Sequence, residues 1–253
     1  AALALNNLII NHASAVITLA SNGLTCAGDL TITAGEFGTG ADKALTVTGT
    51  TTVTGTLTLN ASTVDIGETL QAEAAGTITC GNTNLTVGSL VILGTMTLPS
   101  ASGSCTVDSE GTGSHGTNGL AIDINGTVTH NSGTVTITTP ASTFLDIVPS
   151  SGTGLNSLLI NHASCVAKWT GNSTLTGNLT INQGTIEADD GDETFTVNGD
   201  VTVGDGSGSA NTAVLGNAAD TAAMTFGSLT IASDGKYIAT SGTTEITSAA
   251  SNY

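Results

Sequence analysis

The sequence predicts an all-β protein and, within that class, a β-solenoid (β-helix) with coils of about 20–23 residues. Three observations carry the prediction. Apolar residues alternate with polar ones: Leu8/Ile10, Leu30/Ile32, Leu45/Val47, Leu57/Leu59, Val64/Ile66, Ile78/Cys80 and Leu85/Val87 each set two apolar side chains on one face. The strand words return on a beat, with Ile10, Ile32 and Val53 stepping by 22 and 21. Ile160, Ile181, Val203, Phe226 and Ile246 step by 21, 22, 23 and 20. Finally, LNNLIINHASAV (Leu5 to Val16) returns as LNSLLINHASCV (Leu155 to Val166), with nine of twelve positions identical at an offset of 150.

Taken in order, the elements are strand words punctuated by turn residues. Asn22-Gly23, Gly38–Gly40, Thr48-Gly49, Gly67, Gly81-Asn82, Gly88 and Gly94 separate those of the first part. The later words are Val128, Val135/Ile137, Leu158/Ile160, Leu179/Ile181, Phe195/Val197, Val201/Val203, Met224/Phe226 and Leu229/Ile231. GDLTI at Gly28 is answered by GNLTI at Gly177, and DKALTVTG at Asp42 by DETFTVNG at Asp192. No stretch of ten or more residues carries a helical period. Stacked at about 4.8 Å, eleven or twelve coils make a rod about 50–60 Å long. Leu8, Ile10, Leu30, Ile32, Leu158, Ile160, Leu179 and Ile181 are expected inside. Two tandem β-sandwiches, one per long unit, are the alternative architecture; the glycines, the scarcity of aromatics and the beat favour the solenoid.

Residues 1–150 form the first long unit, with a Ser/Gly-rich loop near 99–119 that holds Asp108, Glu110 and His115. Residues 151–253 form a second, shorter copy. Thr139 to Gly154, with Pro149, reads as another loop, so the division near 150 separates repeats rather than independent domains.

Charged residues are 9% of the chain, against about 25% in ordinary soluble domains. Three Lys, no Arg and twenty acidic residues give a net charge of −17, which argues against nucleic acid and anionic membranes as partners. No apolar run approaches the roughly 20 residues of a transmembrane helix, so membrane insertion is not expected. The N-terminus lacks a positive n-region and does not read as a signal peptide; the chain reads as a processed protein or one segment of a longer one. Cys26, Cys80, Cys105 and Cys165 form no CxxC pair, which removes support for zinc. The strand parity of Cys26, Cys80 and Cys105 points them inward, and a disulfide arises only if two fall on adjacent rungs.

Few residues suggest chemistry, and no catalytic, cofactor-binding or metal-ligating residue is assigned. The sharpest acidic cluster is EADDGDE, Glu187 to Glu193, followed by Asp200 and by GDGSG at Gly204–Gly208. Such oxygen ligands suit calcium, but the spacing matches no EF-hand or calcium β-roll and reads as a solvated turn. Any calcium effect is expected only near Asp189, Asp190 and Asp192. His12 and His162 occupy equivalent NHAS words, which suggests a repeated structural duty such as donating to a turn carbonyl. Polysaccharide-cleaving solenoids need carboxylates at defined separation. Here Asp65, Asp123 and Asp146 are scattered, and Trp169 and two Tyr are the candidate sugar platforms. The expectation is a protein that is not an enzyme.

Thr-x-Thr words are frequent: Thr31/Thr33, Thr46/Thr48, Thr52/Thr54, Thr77/Thr79, Thr95/Thr97, Thr127/Thr129, Thr136/Thr138, Thr174/Thr176 and Thr194/Thr196. Flat Thr arrays resemble ice-binding faces, but the intervals between these words are irregular, and one ordered face on every coil is not evident.

The words LTVTGTTTVTGTLTLN (Leu45–Asn60), GTVTHNSGTVTIT (Gly126–Thr138) and STLTGNLTIN (Ser173–Asn182) resemble repetitive segments of tailed-phage virion fibre or surface proteins, and of bacterial surface adhesins. The resemblance covers nearly the whole chain, is one of style and composition, and carries over no site residue. It implies a structural protein of an extracellular or virion-surface assembly, with a cell-surface fibre or adhesin as the alternative. Neither AALALNNLII nor EITSAASNY carries an end-capping device, so copies of itself or adjoining structural proteins are the expected partners. Cell-surface glycans are a further candidate.

Overall fold

The computed structural model describes residues 2–109, 119–148, 151–189, 192–210 and 212–248. Among them are twenty-five strands and no helix. Among the described residues the strands pair in parallel, with one antiparallel contact, an isolated bridge between Ser100 and Ser132. The chain is a three-sided parallel β-solenoid of eleven coils, with faces A, B and C visited in that order in each coil.

Face A is a ladder that runs Leu3, Leu24, Leu45, Val64, Leu85, Cys105, Val135, Leu158, Leu179, Val201, Leu229. Face B begins Leu8, Leu30, Thr51, Leu70, Leu90, Ile122, Leu145 and passes through Trp169 and Ala188. Face C begins Ile17, Phe37, Leu57, Ile78, Met96, Val128, Gly152 and resumes with Leu175, Val197, Phe226 and Ile246. At about 4.8 Å per coil the rod is about 50 Å long.

Alternation produces this arrangement directly. In LTV, LTI and TLTL the apolar residues point in and Thr points out, and the burial follows that parity strand after strand. The inward residues form one continuous core from Ile10 to Phe226. Ile10, Leu30, Ile32, Leu158, Ile160, Leu179 and Ile181 are all buried, and Leu8 in the first coil is half-buried. All four cysteines are buried, and Cys26, Cys80 and Cys105 are free thiols. Trp169 stacks on Phe195 inside the rod with centroids 4.6 Å apart, so it offers no platform to a sugar.

Coil length is less even than the beat in the sequence. Successive rungs of face A are separated by 21, 21, 19, 21, 20, 30, 23, 21, 22 and 28 residues. Ile160, Ile181 and Val203 do stack, but Val203 pairs with Ile231, while Phe226 follows Val197 on face C. The expected step from Val203 to Phe226 therefore joins two different faces. The expected loop from Thr139 to Gly154 contains the face B strand Ser142–Asp146, with Leu145 and Ile147 in the core. The Ser/Gly-rich stretch begins with a regular face A strand, Ser104–Val107, and residues 110–118, including Glu110 and His115, lie outside the described residues. The ladder crosses residue 150 without a break, through Val128 to Gly152 and Val135 to Leu158.

The long repeat is not a whole number of coils. Leu8 stands on face B of coil 1, whereas its equivalent Leu158 stands on face A of coil 8. The second copy therefore starts one face short of seven coils and is rotated by a third of a turn.

Candidate functional site

His12 and His162 hold equivalent corners. Each Nδ1 accepts the backbone N–H two residues on, from Ser14 and Ser164, at 3.2 Å in both copies. His130 does the same with Ser132 at 2.9 Å. The repeated duty is structural, as expected, but the ring accepts this hydrogen bond rather than donating it. The next coil receives the corner with a glycine: Gly35 beneath His12 and Gly184 beneath His162, both with positive φ. A Cβ at Gly35 would lie 2.5 Å from the His12 carbonyl oxygen, and one at Gly184 would lie 2.6 Å from that of His162.

The corner words GD and GN have a matching origin. The Asn7 side-chain oxygen accepts the Asp29 N–H, and the Asp29 carboxylate accepts the Thr50 N–H, at 2.9 and 3.0 Å. In the second copy Asn178 accepts the Asp200 N–H at 2.9 Å. A short polar side chain thus satisfies the corner amide of the next coil.

The fold sets the acids that follow the Glu187–Glu193 cluster on corners of their own. Asp189 lies at a corner between faces B and C, Asp200 between C and A, and Asp205 between A and B. Asp189 lies 3.9 Å from Lys168, which also approaches Glu187 at 3.9 Å. Asp192 is exposed, and Asp190 lies outside the described residues. Asp200 accepts the Ser228 hydroxyl at 2.6 Å. Asp234 receives the N–H groups of Asp205, Gly206 and Gly208; burial opposes its ionisation, but these amides and its own outweigh that and lower its pKa. No group of three or more metal-ligating side chains is present among the described residues.

Coil stacking creates an acidic pair that the spacing in sequence concealed. Asp123 and Asp146 are direct rung partners on the outside of face B, though 23 residues apart. They line a cleft of about 280 Å³ with Leu120, Asn125, Phe144, Thr170 and Asp189. Burial, then the neighbouring Asp123, push the Asp146 carboxyl above its ordinary range, against the N–H of Val148. Asp65 is elsewhere, on face A.

The most regular outer surface is on face C. Thr56/Thr58, Thr77/Thr79, Thr95/Thr97 and Thr127/Thr129 occupy consecutive coils in strict register. Leu57, Ile78, Met96 and Val128 between them are fully buried, so both Thr of each word point outward. Three of these words were visible in the sequence as isolated units; Thr56/Thr58 completes them. The irregular spacing has a simple cause, since the 32 residues between Thr95 and Thr127 include the extra chain length between the face A and face B strands of coil 6, Ser104–Val107 and Leu120–Ile124. Thr31 and Thr52 belong to face B, and Thr46 and Thr136 to face A.

Comparison with known proteins finds no family model, curated protein or solved structure that matches the chain.

Proposed function

We propose that the protein is a non-enzymatic structural rod of an extracellular or virion-surface assembly, lengthened by coils added at its ends. The observation that carries this reading is the one-sided pairing of the first coil. Leu3–Leu5 pairs with Leu24–Cys26, and Leu8–Thr18 pairs with Leu30–Gly38, with no partner on the other side among the described residues. Leu3, an inward position, is 56% exposed there, and Ile9 and Val16 on the outer side of the same edge strands are 67% and 69% exposed; Ile231 and Ile246, inward positions near the other end, are 47% and 39% exposed. An open strand edge with apolar side chains is a template for another strand. Its occupant is a further segment of the same polypeptide, a second copy or an adjoining structural protein of like coil shape.

The test is solution mass against concentration, with electron microscopy of the particles. Rods that lengthen in multiples of about 50 Å support the reading, and Ile9→Lys together with Val16→Lys should shorten them by setting charge on the joining edge. A monomer at every concentration, with end-coil amides as protected as those at the centre, would overturn it. Polysaccharide turnover abolished by Asp146→Asn would replace it with an enzyme.

A further inference from the structure

The Thr ladder on face C goes beyond a structural role. We propose that face C of coils 3 to 6 is an ice-binding surface, its ligand the oxygen lattice of crystalline water.

The array is periodic in two directions. Rows follow the coil spacing of about 4.8 Å, and the two Thr of a row are two strand residues apart, about 6.6 Å. Both repeats are close to oxygen spacings in hexagonal ice. No register shift interrupts these four rows, whereas faces A and B contain shifts near Val87/Ser89 and Leu120/Ile122. The rows are therefore held by the backbone ladder itself. Thr is stiff at χ1, so the same rotamer can recur from row to row at little entropic cost.

The chemistry of the face is equally uniform. All eight residues present one hydroxyl and one methyl, and none is charged. Thr79, Thr95 and Thr129 are exposed and the other five are half-buried. Thr127 shares its hydroxyl with Ser151 at 2.6 Å, which continues the column by one coil. The remaining seven hydroxyls have no partner among the described residues and are free for water. Elsewhere such groups are spent on the fold: Thr83, Thr143 and Thr240 each donate to a backbone carbonyl.

The other faces lack this pattern. Face A carries a column of single outward Thr, broken by Asp65 and Leu159. Face B runs Thr31, Thr52, Gln71, Val91, Asp123 and Asp146. On face C itself the array is bounded by Glu36 and Gly38 on the coil before it. A regular, uncharged grid of hydroxyls and methyls holds waters at fixed positions, and water so ordered merges with an ice plane more readily than with the liquid.

The experiment is slow freezing of a dilute solution of the whole protein onto an ice surface, with the protein assayed in ice and in liquid, and crystal growth followed by microscopy. The protein is expected to enter the ice and to facet or arrest the growing crystal. Thr79→Lys and Thr97→Lys should abolish both effects with circular dichroism and melting unchanged, because both side chains point to solvent. Thr106→Lys on face A should leave both effects intact. Exclusion of the wild-type protein from ice overturns the proposal. So does equal loss in Thr106→Lys, or a wild-type protein whose only response to the face C changes is altered mass in solution, which would make the face a contact between copies.

Discussion

Single residues in this rod are constrained chiefly by what lies one coil away. Gly35 and Gly184 leave room for the carbonyl oxygens of the NHAS corners, and their φ values of 88° and 94° suit glycine. Gly35→Ala and Gly184→Ala are each expected to lose about 1–3 kcal/mol, read from denaturant melts, since a Cβ there is both strained and crowded. The cysteines make a different prediction. Burial pushes the Cys105 thiol from 9.0 up to about 12, and it raises Cys80 as well, with Cys105 as a second cause. Because the folded state keeps these protons longer, the unfolded state gains by ionising once pH passes 9.0. The cysteine contribution to stability should therefore be level below that pH and fall from there toward about 12, with Cys105→Ala reducing the slope. Alkylation should be slow in the native protein and fast after unfolding, and rapid native labelling of Cys105 would contradict its burial.

The element that matters is the coil rather than the strand. Three- and four-residue strands such as Leu45–Val47 have no independent stability; each exists because the rungs on either side complete its hydrogen bonds. Coils 4 and 5 stack the same core positions, Val64 on Leu85 and Leu70 on Leu90, with a one-residue bulge at the corner between them. Deleting residues 64–84, one full coil, places Leu85 in the seat of Val64 on Leu45. That variant should fold with its strand spectrum intact and melt only a few degrees lower. Deleting residues 64–73, about half a coil, puts polar side chains into the core and should abolish cooperative melting. Similar losses in the two variants would mean that coils are not the stacking unit.

At the scale of the molecule, the rod is a chain of nearest-neighbour contacts with two weaker ends. Hydrogen exchange should accordingly be slowest in the central coils, around Leu57, Leu85 and Val128, and fastest in Leu3–Leu5 and Thr244–Ile246. If coils add at the ends, protection of the first coil should rise with protein concentration while the centre stays constant. An even profile at every dilution would count against both ideas.

The all-β class, the parity of inward and outward residues and the approximate coil length were legible in the sequence, because strand side chains alternate by local geometry and turn residues mark the corners. Leu30, Ile32, Leu179 and Ile181 could be placed inside on that ground alone. What stacks on what was not legible. It depends on how much chain each corner absorbs, and a corner insertion shifts every later residue in sequence while leaving the rungs in register. That is why Asp123 and Asp146 became neighbours, why Asp189, Asp200 and Asp205 stand on different corners, and why four Thr words at uneven intervals formed one grid. The third-of-a-turn offset between the two long repeats has the same origin. The words LNNLII and LNSLLI specify a corner and a strand, and a three-sided rod accepts that unit on any face; only the closed stack of coils selects which one.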